Sequence, residues 1–420
     1  MHSKYAGACS ERLTLENIDV TAQQKGIGII GTGDFTHPLW FKDIKDVLES
    51  KGNGLFNVKN SATKVNFIAS AEVCTISSKD KSGNRGVFDR TGSVEKIHHG
   101  LLAPDIETIT QINSELEKRG NLSIDGRPQL SMSSSELVET LMGINKRILV
   151  YAAHVWTPWF GVFGSMSGYD SIEEAYQDQA KHVSACETGL SSDPAMNWRL
   201  SKLDKYTLIS GGDAHSLPKL GREATVFDFE EKALSYDTIV SAIKNKKVKY
   251  NIEFYPEEGK YHYDGHRRCE VSLSPKEASK YNNRCPKCGR PLTIGVLHRV
   301  NDLADRAEGY VPSGSAPFVH AIPLQEVLSF ITKKGVASLY VQKLYEGLVK
   351  RFGTEFNVLI KSDIESIRRV DKELAKAIGN VREGNVNITP GYDGVFGVID
   401  IMDKAREKKQ GMQRSMSEYE

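Results

Sequence analysis

Tyr206-Thr207-Leu208-Ile209-Ser210-Gly211-Gly212-Asp213-Ala214-His215 is an apolar run that stops at two glycines and continues into Asp-x-His. A short apolar run bounded in this way reads as a buried strand. Asp-x-His at its exit sets two metal ligands on one turn of chain. The same arrangement recurs upstream. Gly26-Ile27-Gly28-Ile29-Ile30-Gly31 leads into Thr32-Gly33-Asp34, and Asn66-Phe67-Ile68-Ala69-Ser70-Ala71-Glu72-Val73 carries Glu72. Ile97-His98-His99 follows, and Arg147-Ile148-Leu149-Val150-Tyr151-Ala152-Ala153 leads into His154. Val183-Ser184-Ala185-Cys186-Glu187 reads as one more strand, and His2 opens the chain. Buried strands alternating with helical patterns imply a parallel sheet covered on both faces, with its site at the C-terminal strand ends. One histidine on a loop is more often a surface or hydrogen-bonded residue than a ligand. Recurrence at successive strand exits favours ligation, and a polynuclear site of this kind suits a metallohydrolase.

The chain has 420 residues, enough for two or three domains. A hydrophobic fraction of 39% and a charged fraction of 26% belong to an ordinary soluble globular protein. The net charge of +1 gives no global basic field, so any nucleic-acid contact must come from local patches. No apolar stretch is long enough to span a membrane and no signal peptide opens the chain, so a cytoplasmic protein is expected. Cys9, Cys74 and Cys186 are scattered, whereas Cys269, Cys285 and Cys288 cluster near histidines. This usage points to a reducing compartment and a metal site rather than disulfides.

Composition changes at Pro256-Glu257-Glu258-Gly259-Lys260, a polar breaker. The organisation expected is a metal-dependent catalytic domain over 1–255, a Cys/His module over 256–300, a helical domain over 301–402 and a disordered tail over 403–420. His266-x2-Cys269-x15-Cys285-x2-Cys288 has structural-zinc spacing, with His262 and His298 as weaker competitors for the fourth position. Four protein ligands leave no open coordination position, so this zinc would be structural. Arg267 and Arg268 beside it, and Lys244, Lys246 and Lys247 before it, read as solvated charge or as phosphate contacts.

The strand-exit pattern resembles the PHP (polymerase and histidinol phosphatase) fold, an α/β architecture built as a distorted seven-stranded β/α barrel. The resemblance implies metal ligation by His2, Asp34, Glu72, His98 or His99, His154, Asp213 and His215. Glu72 would bridge, and His98 fits the spacing better than His99. Adjacent strand residues face opposite ways, so only one of that pair should ligate. It also implies a further His two residues before His2, on a complete first strand. A start assigned too late, with upstream residues completing that strand, is the expectation.

Further stretches resemble the endonuclease Q family over nearly the whole chain. They are His2-Ser3-Lys4-Tyr5-Ala6-Gly7-Ala8, Ala153-His154-Val155-Trp156-Thr157-Pro158-Trp159-Phe160-Gly161, Glu187-Thr188-Gly189-Leu190 and Pro390-Gly391-Tyr392-Asp393-Gly394. This resemblance implies a repair endonuclease that cuts DNA 5′ of a deaminated base such as uracil, hypoxanthine or xanthine. Asp213, Glu72 and His154 would be its catalytic residues. Zinc suits the histidine-rich ligands, and magnesium or manganese an oxygen-rich position. Tyr5 and Ser10, next to His2, are candidates for a lesion pocket. Trp156 is a candidate for stacking on a base, while Trp159 and Phe160 read rather as a core plug under the loop. Gln413-x-x-Met416-x-x-Tyr419 partly matches a sliding-clamp-binding peptide. The chain lacks a Gly-x-x-x-x-Gly-Lys-Ser/Thr loop, which argues against an ATP-driven motor. Two rival readings are a PHP phosphoesterase acting on a small phosphate monoester and a non-catalytic nucleic-acid-binding remnant.

Overall fold

The computed structural model describes residues 1–79, 85–86, 94–166 and 168–402. The tail and its partial clamp-binding match lie outside the described residues. Ten strands form one sheet: β1 Ile29–Gly31, β2 Leu48–Ser50, β3 Leu55–Val58, β4 Asn66–Lys79, β5 Arg85–Gly86, β6 Val94–Ala103, β7 Gln129–Leu130, β8 Leu149–Ala152, β9 Val183–Glu187 and β10 Thr207–Ile209. The main path runs β10-β9-β8-β6-β4-β3-β2, with β1, β5 and β7 also paired to β4.

β4 organises this sheet. Its first residues pair with β1 in parallel and with β3 antiparallel. From Ala69 to Ser78 it pairs antiparallel with β6 over ten registers. One long strand therefore serves both halves, and the sheet curls into a half-barrel. The expectation of a parallel sheet is corrected here. β8-β9 and β9-β10 are parallel, but β4-β6 and β6-β8 are antiparallel. Apolar runs mark burial and not strand direction, so the two kinds of pairing look alike in sequence.

Helices cover the sheet for local reasons. Tyr236–Lys244 is capped by Ser235, whose side chain accepts from the Thr238 amide. It buries Tyr236, Ile239, Val240 and Ile243, spaced along one helical face, against Leu102 and Leu149. Ser133 and Glu136 form a reciprocal capping box that starts Ser134–Ile144.

Beyond the sheet, β11 Ala224–Val226, β12 Tyr250–Glu253 and β15 Phe318–His320 form a three-stranded sheet, while β13 Asp264–His266 and β14 Val271–Leu273 form a hairpin. β16 Asn387–Thr389 pairs with β17 Val398–Asp400. Tyr250, Ile252 and Tyr255 share a core with Leu324, Val327, Leu348 and Ile378 of the helical region. Strand pairing between β12 and β15 thus stitches the region before residue 255 to the one after residue 301. Lys25 adds a buried ion pair to Glu355 at 2.8 Å.

Among the described strands, β1 pairs only with β4 and β10 only with β9. A groove of about 580 Å³ is lined by Ile29 and Gly31 from β1, Ser210 and Gly211 after β10, and Thr225 from the three-stranded sheet. No helix among the described residues is long and apolar enough to cross a membrane.

Candidate metal centre

Three of the strand exits carry a non-glycine residue in the left-handed region: Asp34 at φ 45°, His154 at φ 27° and Asp213 at φ 38°. Such backbone costs free energy and persists where the surroundings enforce it. Each sharp exit swings a polar side chain back over the sheet end. The N-terminal segment joins them by backbone bonds, His2 N–H donating to the Ala214 carbonyl at 3.1 Å and Ser10 N–H to the His215 carbonyl at 3.0 Å.

The side chains form two groups. His2, Asp213 and His215 make one, and Glu72, His98 and His154 the other, with ligand atoms inside each group within 4.8 Å of one another. Glu72 spans the two. Its Oε1 lies 2.5 Å from His98 Nδ1 and 3.2 Å from His154 Nε2, and its Oε2 lies 3.5 Å from His2 Nε2. His2 Nε2 is also 2.9 Å from Asp213 Oδ1. Both of those atoms are buried without a hydrogen bond, although they converge. His98 Nδ1 and His154 Nε2 stand 3.1 Å apart. Ring nitrogens and carboxylate oxygens gathered this closely fit divalent cations better than they fit one another.

Electrostatics support the same conclusion. Burial disfavours a charged His154, yet Glu72, Glu187 and Asp213 outweigh it and raise the ring to about 9. Burial would raise Glu72, but His98, His154 and His2 hold it well below the usual range. Burial lowers His98 despite Glu72. The carboxylates around His154 thus favour positive charge at this point, as they would favour a bound cation.

Several sequence-predicted residues are placed differently from expectation. His99 points to the opposite face from His98. Its Nδ1 meets the Tyr176 hydroxyl at 2.7 Å and its Nε2 meets Thr75 at 2.9 Å, and burial pushes it down to about 3. Asp34 stands behind His2, accepting from Nδ1 at 2.9 Å and from the Ser3 amide at 2.5 Å, so it orients the His2 ring. Trp156 is 1% exposed and donates to Asn197 at 2.8 Å, so it is a core residue. Trp159 is 38% exposed, and Phe160 stacks on His98 at 4.4 Å, reversing the expected roles within this loop. Lys244, Lys246 and Lys247 are exposed, but Lys246 bonds the Asp204 carbonyl ahead of β10. That is the strand's entry, whereas the metal centre follows its exit. Tyr5 stacks on His37 at 4.6 Å, and Ser10 holds the His215 carbonyl through its amide.

Two residues had escaped the sequence reading. Glu187 Oε2 accepts from the His154 amide at 2.9 Å and so fixes the strained exit of β8; burial lifts this carboxyl to about 7. Its signal was a lone acid ending an apolar strand. Arg127 lines a cavity of about 620 Å³ together with His98, His154, Asp213 and Phe160. Its signal was a cation in the turn Asp125-Gly126-Arg127-Pro128.

The second cluster is compact. His266, Cys269, Cys285 and Cys288 bring four ligand atoms within 4.8 Å. The β13–β14 hairpin carries or flanks the first two. A knuckle closed by Cys285 N–H to the Arg290 carbonyl and Gly289 N–H to the Cys285 carbonyl, both at 2.8 Å, carries the others. Burial would raise Cys285, but amides of Cys288 and Lys287 lower it to about 7, toward the thiolate that a metal needs. His298 pairs with Asp264 at 2.5 Å, and His262 lies against the Tyr263 ring, outside the four.

Comparison with known proteins follows the same lines. The structure matches the lesion-specific endonuclease PfuEndoQ of Pyrococcus furiosus with a TM-score of 0.82 and 30% identity, covering 97% of this chain and 96% of that one. This chain belongs to the endonuclease Q family. A second endonuclease Q structure, in complex with a 27-mer duplex carrying an abasic lesion at its active site, matches with a TM-score of 0.81 and 30% identity over 97% of this chain and 98% of that one. Residues 323–385 match the MJ0043 C-terminal domain family. Uncharacterized protein MJ0043 of Methanocaldococcus jannaschii is 34% identical over 251 residues, 59% of this chain but only 31% of that protein. Uncharacterized protein YqxK of Bacillus subtilis is 29% identical over 315 residues, 72% of this chain and 73% of that protein. The endonuclease Q likeness thus extends through the curled sheet, the Cys/His segment and the helical region alike.

Proposed function

We propose that this protein is a metal-dependent DNA repair endonuclease that hydrolyses the phosphodiester 5′ of a deaminated base. Glu72, standing between two groups of ligand-type side chains of which His98, His154 and Asp213 line an open cavity, carries the reading. The end-to-end likeness to a lesion-specific endonuclease supplies the substrate class. In this proposal the half-barrel is the greater part of a PHP-type catalytic domain over 1–255. Residues 256–300 hold structural zinc, and 301–402 help to hold DNA.

Divalent cations bound at the two groups would polarise the scissile phosphate and lower the pKa of the attacking water. The chain's own residues do the rest. Glu72 fixes the separation of the groups through its two oxygens. Asp34 holds His2, and Glu187 holds the His154 backbone, so both rings are aimed before substrate arrives. Arg127 offers its guanidinium to a phosphate oxygen across the cavity. Phe160 closes the ring face of His98 from water. The cavity's size suits a nucleotide swung out of the duplex.

The test uses end-labelled duplex DNA with one deoxyuridine or one deoxyinosine, manganese or magnesium, and a denaturing gel. A single cut immediately 5′ of the lesion, absent with EDTA and with Asp213→Ala, is expected. Cutting of undamaged duplex at equal rate would contradict the specificity. Hydrolysis of a small phosphate monoester alone would favour the phosphoesterase.

A further inference from the structure

The loop at Pro390-Gly391-Tyr392-Asp393-Gly394-Val395-Phe396-Gly397 presents Phe396 to solvent, 64% exposed, with Val398 60% exposed beside it. The exposure is enforced by the backbone. Gly391, Gly394 and Gly397 N–H donate to the carbonyls of Glu257, Lys260 and Glu258 at 2.8, 3.0 and 3.0 Å. A Cβ at Gly391 would strike the Gly259 carbonyl, and one at Gly397 the Glu257 carbonyl. Asp393 pins the far side, accepting from the Arg267 amide and the Thr293 hydroxyl at 2.6 Å each. A tightly docked loop that leaves its largest apolar side chain in water is built to present it.

Phe396 does not stand alone. Lys260 Nζ lies 4.5 Å above its ring. The next residue, Tyr261, meets Trp159 edge to face at 4.9 Å. Trp159 is 38% exposed and adjoins Phe160, which stacks on His98 inside the metal centre. Arg267 approaches the loop at Gly394, and Arg268 is exposed on the same turn. Aromatic faces interleaved with cations therefore run from the wall of the cavity to the edge of the zinc-type cluster. Aromatic steps with a cation beside them are how proteins hold unpaired nucleotides, bases on rings and phosphates on cations.

We propose that Trp159, Tyr261, Lys260 and Phe396 form a ledge that binds unpaired nucleotides flanking the lesion, holding the strand open as it leaves the cavity. The proposal rests on the endonuclease reading. Continuity with the cavity and the cations along the path select nucleic acid as the occupant, and exposed ring faces select unpaired bases.

The test compares zinc-loaded wild type and Phe396→Ala by fluorescence anisotropy on two labelled duplexes bearing one deoxyuridine. One duplex is fully paired. The other has mismatches that leave the flank beside the lesion unpaired. Wild type should bind the opened duplex more tightly than the paired one. Phe396→Ala should lose roughly 5- to 150-fold on it, the range of one stacked base, with kcat at saturating DNA unchanged. Phe396→Trp should restore binding and Phe396→Leu should not, which separates stacking from apolar filling. Lys260→Ala should reduce the salt dependence by about one counterion. Unchanged zinc content and melting temperature exclude misfolding. Wild type that cuts the lesion duplex while Phe396→Ala binds equally well, or rescue by leucine as good as by tryptophan, overturns the ledge alone. Wild type that neither binds nor cuts overturns the ledge and the endonuclease reading together.

Discussion

The two clusters of ligand-type side chains are assembled in opposite ways. The first draws His2, Glu72, His98, His154, Asp213 and His215 from the N-terminal segment and four strands, across more than two hundred residues. It opens on a cavity. The second draws His266, Cys269, Cys285 and Cys288 from one hairpin and one knuckle, beside a core of only Val271, Ala278, Cys285 and Leu292. A large core surrounds the first cluster and would hold it in place without metal, which would leave its side chains free to serve chemistry. A core as small as the second gains little from burial, and there bound metal would supply folding energy. Loss of a ligand should therefore cost activity in one region and structure in the other.

The largest effect expected is at the bridge. Glu72→Gln should lower cleavage on the order of 10³-fold or more while leaving the melting temperature near wild type, read by single-turnover gels and calorimetry. A large fall in melting temperature would erase the distinction between the regions. Behind the ligands, Asp34→Ala frees the His2 ring and should weaken metal binding at the first cluster by roughly 10- to 100-fold, read by competition with a chelator. The second cluster should retain its metal in that variant. Cys285→Ser is the converse. It should release one metal equivalent and raise amide exchange across 264–293, with DNA affinity falling roughly tenfold through Arg267 and Arg268 and kcat little changed. Protection that survives in that segment would mean its fold does not depend on metal.

The smallest effect lies on the segment joining the two. Burial, reinforced by Glu326, raises Glu258 to about 7, above its ordinary carboxylate value. A raised carboxyl stabilises the folded state in its protonated form. Its contribution is full below about pH 4.5 and fades as pH rises to about 7. Glu258→Gln should flatten that part of the stability profile in chemical denaturation of metal-loaded protein, and an unchanged slope would assign the pH dependence elsewhere.

The same contrast explains what could be read in the sequence. The Cys/His spacing is local, and the four residues meet as that spacing requires. The strand exits were legible because apolar runs end visibly at His154 and Asp213. Strand direction was not, because β4 and β6 pair antiparallel through residues whose apolar pattern is the same either way. Alternation predicted that only one of His98 and His99 would enter the cluster. Trp156 and Trp159 changed places because a two-residue turn decides which ring faces the core, and composition is blind to it. Asp34 shows a further limit: acid type and position were read, but whether it meets a cation or orients His2 depends on where the ring lies. Glu187 was visible as a lone acid ending an apolar strand, but its bond to the His154 amide, like the position of the basic run at Lys244 to Lys247, depended on three-dimensional placement.

Glu72 would join two cation sites. Anomalous diffraction from crystals grown with manganese tests it directly. Two peaks should flank Glu72, one against His98 and His154 and one against His2, Asp213 and His215, with Glu72 in contact with both. A single peak with Glu72 turned away from it, in protein that still cuts lesion DNA, would contradict it.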